Sequence, residues 1–292
     1  MQGEIHCSIH GDIHGGDGGA YRGGMTEPRV ITEIDGPVAR VWLNRPDKLN
    51  GLDLDTIEQL AAAAKSLRKN RQIRAVVIEG KGDSFCAGLD FAAAAKASKL
   101  QIVKLALPNP LRGTNGFQEC FWAWRKLPVP VIAITRGHVF GGGIQLALAC
   151  DFRFSTPDCQ WSVLEAKWGL VPDMSGTVPL GEVVGADVAK RLTMTGEIIS
   201  GEQAHAYGLV TGVDAEPAKL AQELIDSIAS RSPDSVAASK RLLNNARRGS
   251  IRSAFGRERR FQFAMFRTKN AAAARKAGMK GETPSFGPRS FD

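Results

Sequence analysis

Two glycine-bearing segments of this sequence carry residue types suited to chemistry. The first is Ser84-Phe85-Cys86-Ala87-Gly88-Leu89-Asp90, and the second is Arg136-Gly137-His138-Val139-Phe140-Gly141-Gly142-Gly143-Ile144-Gln145. Glycines where a strand gives way to a helix expose backbone N–H groups and let a ligand come close, and the helix N-terminus adds partial positive charge. Two such turns set face to face would aim two N–H donors at one oxygen, which is the construction of an oxyanion hole. A glycine triplet also serves close packing of a helix, and the sequence leaves both uses open.

Other chemistries lack their signatures. There is no GxxxxGK[ST] loop and no GxGxxG after a strand, so the usual cradles for nucleoside triphosphates and dinucleotides are missing. Gly-x-Ser-x-Gly, the hydrolase elbow, is absent as well. His6, His10 and His14 fall four apart, a spacing that aligns metal ligands on a helix, but the glycines around them oppose a helix and no metal is expected. His138 and His205 lie far apart in the sequence without a ligand cluster and read as structural, with shaping of a pocket the lesser reading for His138, which borders the second glycine turn.

The elements that must hold these turns read as alternating strands and helices. Pro37 to Leu43 has strand character and closes in Asn44-Arg45-Pro46-Asp47. Asp53 to Lys69 has helical apolar spacing at Leu54, Ile57, Leu60, Ala61, Ala64 and Leu67. Arg74 to Gly80 and Pro130 to Ile134 are further short apolar strands, each followed by a glycine-containing turn and a helix-compatible stretch. That rhythm predicts an α/β layer. From Gly185 onward helices dominate, at Ala186 to Thr195, Gly201 to Tyr207, Pro217 to Ser230, Ser232 to Ala246 and Ile251 to Phe266. The organisation read from this is a disordered extension over residues 1–24, an α/β core over 25–200 and a helical C-terminal region over 201–292.

With 292 residues, 43% hydrophobic and 23% charged, the chain can bury a full core without disulfides or a structural metal. No apolar run approaches the roughly 20 residues of a membrane helix, and residues 1–24 lack a secretory h-region. Five cysteines without a CxxC pair fit a reducing, cytoplasmic setting. The net charge of +8 is localised: Lys240 to Lys280 holds thirteen Lys and Arg against one acid, Glu258, so the remainder is slightly acidic. Such a run is a solvated helix face or an anion-binding surface.

The ordered set Asn44-Arg45-Pro46, Asn50-Gly51-Leu52, Phe85 to Asp90, Gly137 to Ala147, Cys150-Asp151, and Glu165 followed by Gly169-Leu170-Val171-Pro172-Asp173 resembles the crotonase (enoyl-CoA hydratase/isomerase) superfamily. The likeness runs from about Val30 to the C-terminus. It implies a crotonase-like spiral of ββα units and a helical C-terminal region used in trimerisation. It also implies an acyl-CoA thioester substrate and a homotrimer or hexamer. The thioester oxygen would be held by the N–H groups of Leu89 and Gly142, with Ala87, Gly88, Asp90 and Gly141 around the substrate. Coenzyme A belongs to the substrate, so no separate cofactor is implied. Its diphosphate and 3′-phosphate would account for part of the C-terminal basic excess, with Arg257, Arg260, Arg267 and Lys269 the residues in question.

Hydratases of this superfamily have a Glu two positions after the glycine triplet and a second about twenty residues on. Here Gln145 stands at the first position and Glu165 at the second. An amide cannot accept the proton, which weakens the two-carboxylate hydration mechanism. Asp173, eight residues past Glu165, resembles instead the dienoyl-CoA isomerase branch. The resemblance therefore implies double-bond isomerisation by Glu165 and Asp173, with hydration by Glu165 aided by Gln145 as the second reading. A non-catalytic RNA-binding relative is a remote third, since Glu165 and both glycine turns favour an enzyme.

Overall fold

The computed structural model describes residues 27–247 and 249–291. The expected N-terminal extension, with His6, His10 and His14, lies outside the described residues.

Six strands form the main sheet: β1 (Val30–Asp35), β2 (Val38–Leu43), β3 (Ala75–Gly80), β4 (Val131–Thr135), β6 (Phe152–Ser155) and β8 (Gly212–Val213), in the order β1-β2-β3-β4-β6-β8. Only β1 and β2 pair antiparallel; every later pairing is parallel. Side chains alternate between the sheet's faces, and both faces of a parallel sheet must be covered. Val76 and Ile78 of β3 enter the main core with Val41 and Leu43. Ala75 and Val77 face the other way, with Ile132, Ile134 and Phe154, under Ala221 and Ile225 of α9 (Pro217–Ala229).

A parallel pairing needs a crossover, and here each one carries a short second strand and then a helix or helical turn. After β3, Leu89 bridges to Leu52 and Cys86 to Val139, followed by α2 (Phe91–Lys96), α3 (Lys99–Ala106) and α4 (Gly116–Arg125). After β4 comes β5 (His138–Phe140) and then α5 (Gly142–Ala149). After β6 comes β7 (Gln160–Ser162), paired parallel to β5, and the 3-10 turn Leu164–Trp168. The result is the expected α/β spiral of ββα turns.

The first helix, α1 (Leu54–Lys69), starts where Asp53 accepts the Thr56 N–H at 2.8 Å and buries Leu54, Ile57, Leu60, Ala64 and Leu67. An N-cap of this kind contributes about 1 kcal/mol. Beyond α6 (Thr177–Val183) and α7 (Ala186–Thr195), the chain is not helical alone. Between α8 (Gly201–Ala206) and α9, strand β8 joins β6, so the boundary drawn at residue 200 runs through the main sheet. The last helices are α10 (Pro233–Asn244), α11 (Ile251–Phe266) and α12 (Lys269–Lys280). Asp234 is fully buried and accepts from Asn270 Nδ2 at 2.9 Å and from the Ser290 and Phe291 N–H groups at 2.6 and 2.7 Å.

Candidate active site

The two glycine turns face each other. A Cβ placed on Gly88 would lie 2.8 Å from the Phe140 carbonyl oxygen and 3.5 Å from the Gly142 nitrogen. Backbone accounting then separates the N–H groups. Ala87 N–H donates to Leu49, Gly88 to the Cys86 sulfur, Asp90 to Leu52, and Gly141 to Ser162. Among the described residues, the N–H groups of Leu89 and Gly142 have no acceptor. Gly142 is buried and Leu89 half-buried, and a buried backbone donor is almost always paired, so the free Gly142 N–H marks where an acceptor is wanted.

Each glycine of the triplet does a different job. Gly141 has φ +52°, a conformation L side chains rarely adopt. A Cβ on Gly143 would sit 2.3 Å from the Cys86 carbonyl oxygen, so this residue lets α5 pack on the first turn. On Gly142 the added carbon would meet the ends of Leu52 at 2.7 Å and Met174 at 3.4 Å, which form an apolar wall beside the free N–H. Of the two uses left open by the sequence, close packing of the helix is therefore the role of Gly143.

The acidic side of the site is built around Gln145. All of α5 is buried, and Gln145 is 2% exposed, so its amide must be satisfied within the protein. Its Oε1 accepts the N–H groups of Met174 at 2.9 Å and Gly176 at 3.0 Å, and its Nε2 donates to Glu165 Oε1 at 2.6 Å. The second carboxylate oxygen, Glu165 Oε2, is buried without a hydrogen-bond partner among the described residues. Glu165 Oε1 and the Gly88 Cα come within 3.8 and 3.9 Å of a Cβ placed on Gly141, so acid and glycine turns converge there. Burial pushes the Glu165 carboxyl above the ordinary glutamate range; its own backbone N–H and the Gln145 amide pull the other way, and the charge of Asp173 adds to the rise.

The remaining candidates are placed as follows. Asp173 is exposed, and among the described residues it has no hydrogen bond or ion pair. Asp90 is committed on both oxygens: Oδ1 caps α2 through Ala93 N–H at 2.9 Å, and Oδ2 pairs with Arg45 at 3.0 Å. His138 Nδ1 lies 2.8 Å from the Ser84 hydroxyl, and His205 Nδ1 lies 3.0 Å from the Val210 carbonyl. Trp161 is in the core, whereas Trp168 is exposed and meets Phe91 with ring centroids 5.2 Å apart. Arg257 donates to the Asn245 carbonyl and Arg260 lies over the Phe261 ring.

Sequence reasoning missed the backbone N–H groups of Met174 and Gly176. No motif marks them, although Gly176 is required: a Cβ there would fall 2.5 Å from Gln145 Cγ. Among the described residues, no group of three or more His, Cys, Asp and Glu could hold a metal, and no helix is long and apolar enough to cross a membrane.

Comparison with known proteins joins this geometry to a family. The chain is 31% identical over 233 residues to the short-chain-enoyl-CoA hydratase of Clostridium acetobutylicum, covering 78% of this chain and 86% of that protein. It is 34% identical over 215 residues to the (E)-benzylidenesuccinyl-CoA hydratase of Thauera aromatica, covering 72% and 80%. The crystal structure of an enoyl-CoA hydratase from Bacillus anthracis superposes with a TM-score of 0.80 at 27% identity, covering 88% of this chain and 98% of that one. The model of the enoyl-CoA hydratase/isomerase family matches residues 33–286, and with the same spiral fold behind it the chain belongs to that family.

Proposed function

We propose that this protein is an acyl-CoA enzyme that adds water reversibly across the double bond of a 2-enoyl-CoA thioester. The observation that carries the reading is the buried, unpartnered Oε2 of Glu165, a carboxylate that approaches the Gly141 turn preceding the free N–H of Gly142. Attack of water at C3 pushes an electron pair through the double bond onto the thioester oxygen, where the N–H groups of Leu89 and Gly142 stabilise the enolate. Glu165 takes the proton that water loses as the C3–O bond forms. It then returns a proton to C2 as the enolate collapses, and is regenerated. One carboxylate serves both transfers if both occur on one face of the double bond.

Hydration takes precedence over the isomerisation expected from the sequence, because Gln145 and Glu165 form one fixed unit while Asp173 is exposed and outside it. The hydratase names of the Clostridium and Thauera relatives support the same order. Dienoyl-CoA isomerisation, with Asp173 as the second proton carrier, is the other reading. It is favoured by one observation, that the Asp173 carboxylate is uncommitted yet its charge acts on Glu165. Purified protein mixed with crotonyl-CoA and separately with a 3,5-dienoyl-CoA divides the two. Loss of the 2-enoyl absorbance is expected, and conversion of the dienoyl substrate alone would reverse the order.

The scheme calls on no separate cofactor, coenzyme A being part of the substrate. Arg267 and Lys269 are exposed without an ion-pair partner among the described residues and are assigned to its phosphates. Ile251, Phe255, Phe263 and Phe266 of α11 are exposed and are assigned to contact between copies in a homotrimer or hexamer. Light scattering on the eluting protein measures that assembly, and a monomer would remove the assignment.

A further inference from the structure

The amide of Gln145 is oriented by its surroundings. Backbone N–H groups can only donate, so the atom facing Met174 and Gly176 is the oxygen, and the nitrogen therefore faces Glu165. With both lone pairs of Oε1 taken, Gln145 cannot accept a hydrogen bond from a water molecule. The loop is also seated on this side chain, since Gly176 packs against Gln145 Cγ and the Met174 side chain is 5% exposed beside Gly142.

We propose that Gln145 is a positioning residue that ties the Met174–Gly176 loop to Glu165 and leaves a single carboxylate oxygen, Oε2, to serve the substrate. This rests on the reading of Glu165 as the acid/base. Donation to Oε1 fixes the carboxylate plane by one of its two oxygens, and the other is the atom without a partner. The same amide anchors the loop that carries the apolar wall beside the Gly142 N–H. Acid, wall and N–H donor are thereby set relative to one another by one side chain.

Two variants separate the halves of this role. Gln145→Met removes acceptor and donor together, whereas Gln145→Glu keeps an oxygen for the two loop N–H groups and replaces the donor with a carboxylate oxygen. Three readouts apply: amide hydrogen exchange at Met174 and Gly176, the Glu165 titration followed by carboxyl-carbon NMR, and the pH profile of crotonyl-CoA hydration. In Q145M the two amides are expected to exchange at least about tenfold faster, and the Glu165 midpoint to rise by about one pH unit, roughly tenfold in its proton affinity. In Q145E exchange is expected to stay at the wild-type rate, while the single ionisation becomes two coupled ones.

Wild-type exchange and titration in Q145M would overturn the proposal. Faster hydration by Q145E with an unmoved acid limb would do the same, because it would mark position 145 as a water site. Should Q145M fail to fold, an unshifted single ionisation in Q145E overturns the proposal by itself. Wild-type protein that turns over neither thioester defeats the hydratase reading, while exchange and titration still decide the role of Gln145.

Discussion

Phe91 and Trp168 meet ring against ring, centroids 5.2 Å apart and planes tilted by 50°. Phe91 directly follows the Asp90 cap, and Trp168 ends the Leu164–Trp168 turn that carries Glu165, so the two walls converging at Gly141 meet a second time further out. Both rings are partly exposed, as are Leu170 and Val171 nearby. The contact is worth about 0.5–1.5 kcal/mol. Phe91→Ala and Trp168→Ala are expected to raise kcat/KM for a ten-carbon enoyl-CoA relative to crotonyl-CoA by about two- to tenfold, mainly through KM. An unchanged ratio in both variants would separate the aromatic contact from acyl selection.

Glu165→Gln is expected to slow hydration by roughly 10²–10⁴-fold. Stability should move the other way. The folded carboxyl binds its proton more tightly than the unfolded one, so the favourable contribution is complete below the ordinary glutamate range and is lost as pH rises through the raised value. Above that value the wild type keeps a desolvated charge that the amide lacks. Thermal unfolding at pH 4 and pH 8 should show E165Q gaining on the wild type at the higher pH. A variant that loses ground instead would mean that the charged form is held favourably.

Alanine at Gly142 and at Gly143 should fail in different ways. On Gly143 the methyl group would meet the Cys86 carbonyl, which is backbone and cannot step aside, and a loss of about 1–3 kcal/mol in urea unfolding is expected. On Gly142 the obstacles are the ends of Leu52 and Met174, so the protein should fold. The altered N–H is then expected to lower kcat by up to about 10²–10³. Equal stability losses with equal kinetics would contradict this division.

Asp90 contributes to stability over another pH range. Donation from the Ala93 N–H holds its carboxyl below the ordinary range; burial opposes this, and Arg45 and Lys48 add to the lowering. Its contribution is present above the ordinary aspartate value and is lost as pH falls through the lowered one. Asp90→Ala should cost about 1 kcal/mol at pH 7 for the lost cap. The gap between wild type and variant, measured by urea midpoints, should narrow toward pH 3. A gap constant with pH would leave the carboxylate charge without a role.

Much of this architecture is legible in the residue pattern. Leu54, Ile57, Leu60, Ala64 and Leu67 lie on one helical face, and the short runs before Gly80 and Thr135, rich in Val and Ile, read as strands buried on both sides. The second ladder is not legible, because Leu52, Cys86 and Leu89 pair in pieces too short to show a period. Helix α12 was missed because it buries only Asn270 and Ala277 and so lacks an apolar stripe. At the site, glycines and acids are visible as types, but the tie from Gln145 to Glu165 and Gly176 spans 20 and 31 positions and exists only once the spiral has closed.

The sheet adds each strand to the one most recently made, skipping only the short β5 and β7. During synthesis no rung from β2 to β6 waits for a partner still inside the ribosome, so strand pairing can keep pace with translation. The outer face differs. Ala75, Val77, Ile132, Ile134 and Phe154 stay bare until Ala221 and Ile225 have been made, which leaves a growing oily surface as the vulnerable feature of the nascent chain. A holdase chaperone acting on this protein would find its target there, and ribosome stalling shortly before residue 217 would lengthen the exposure.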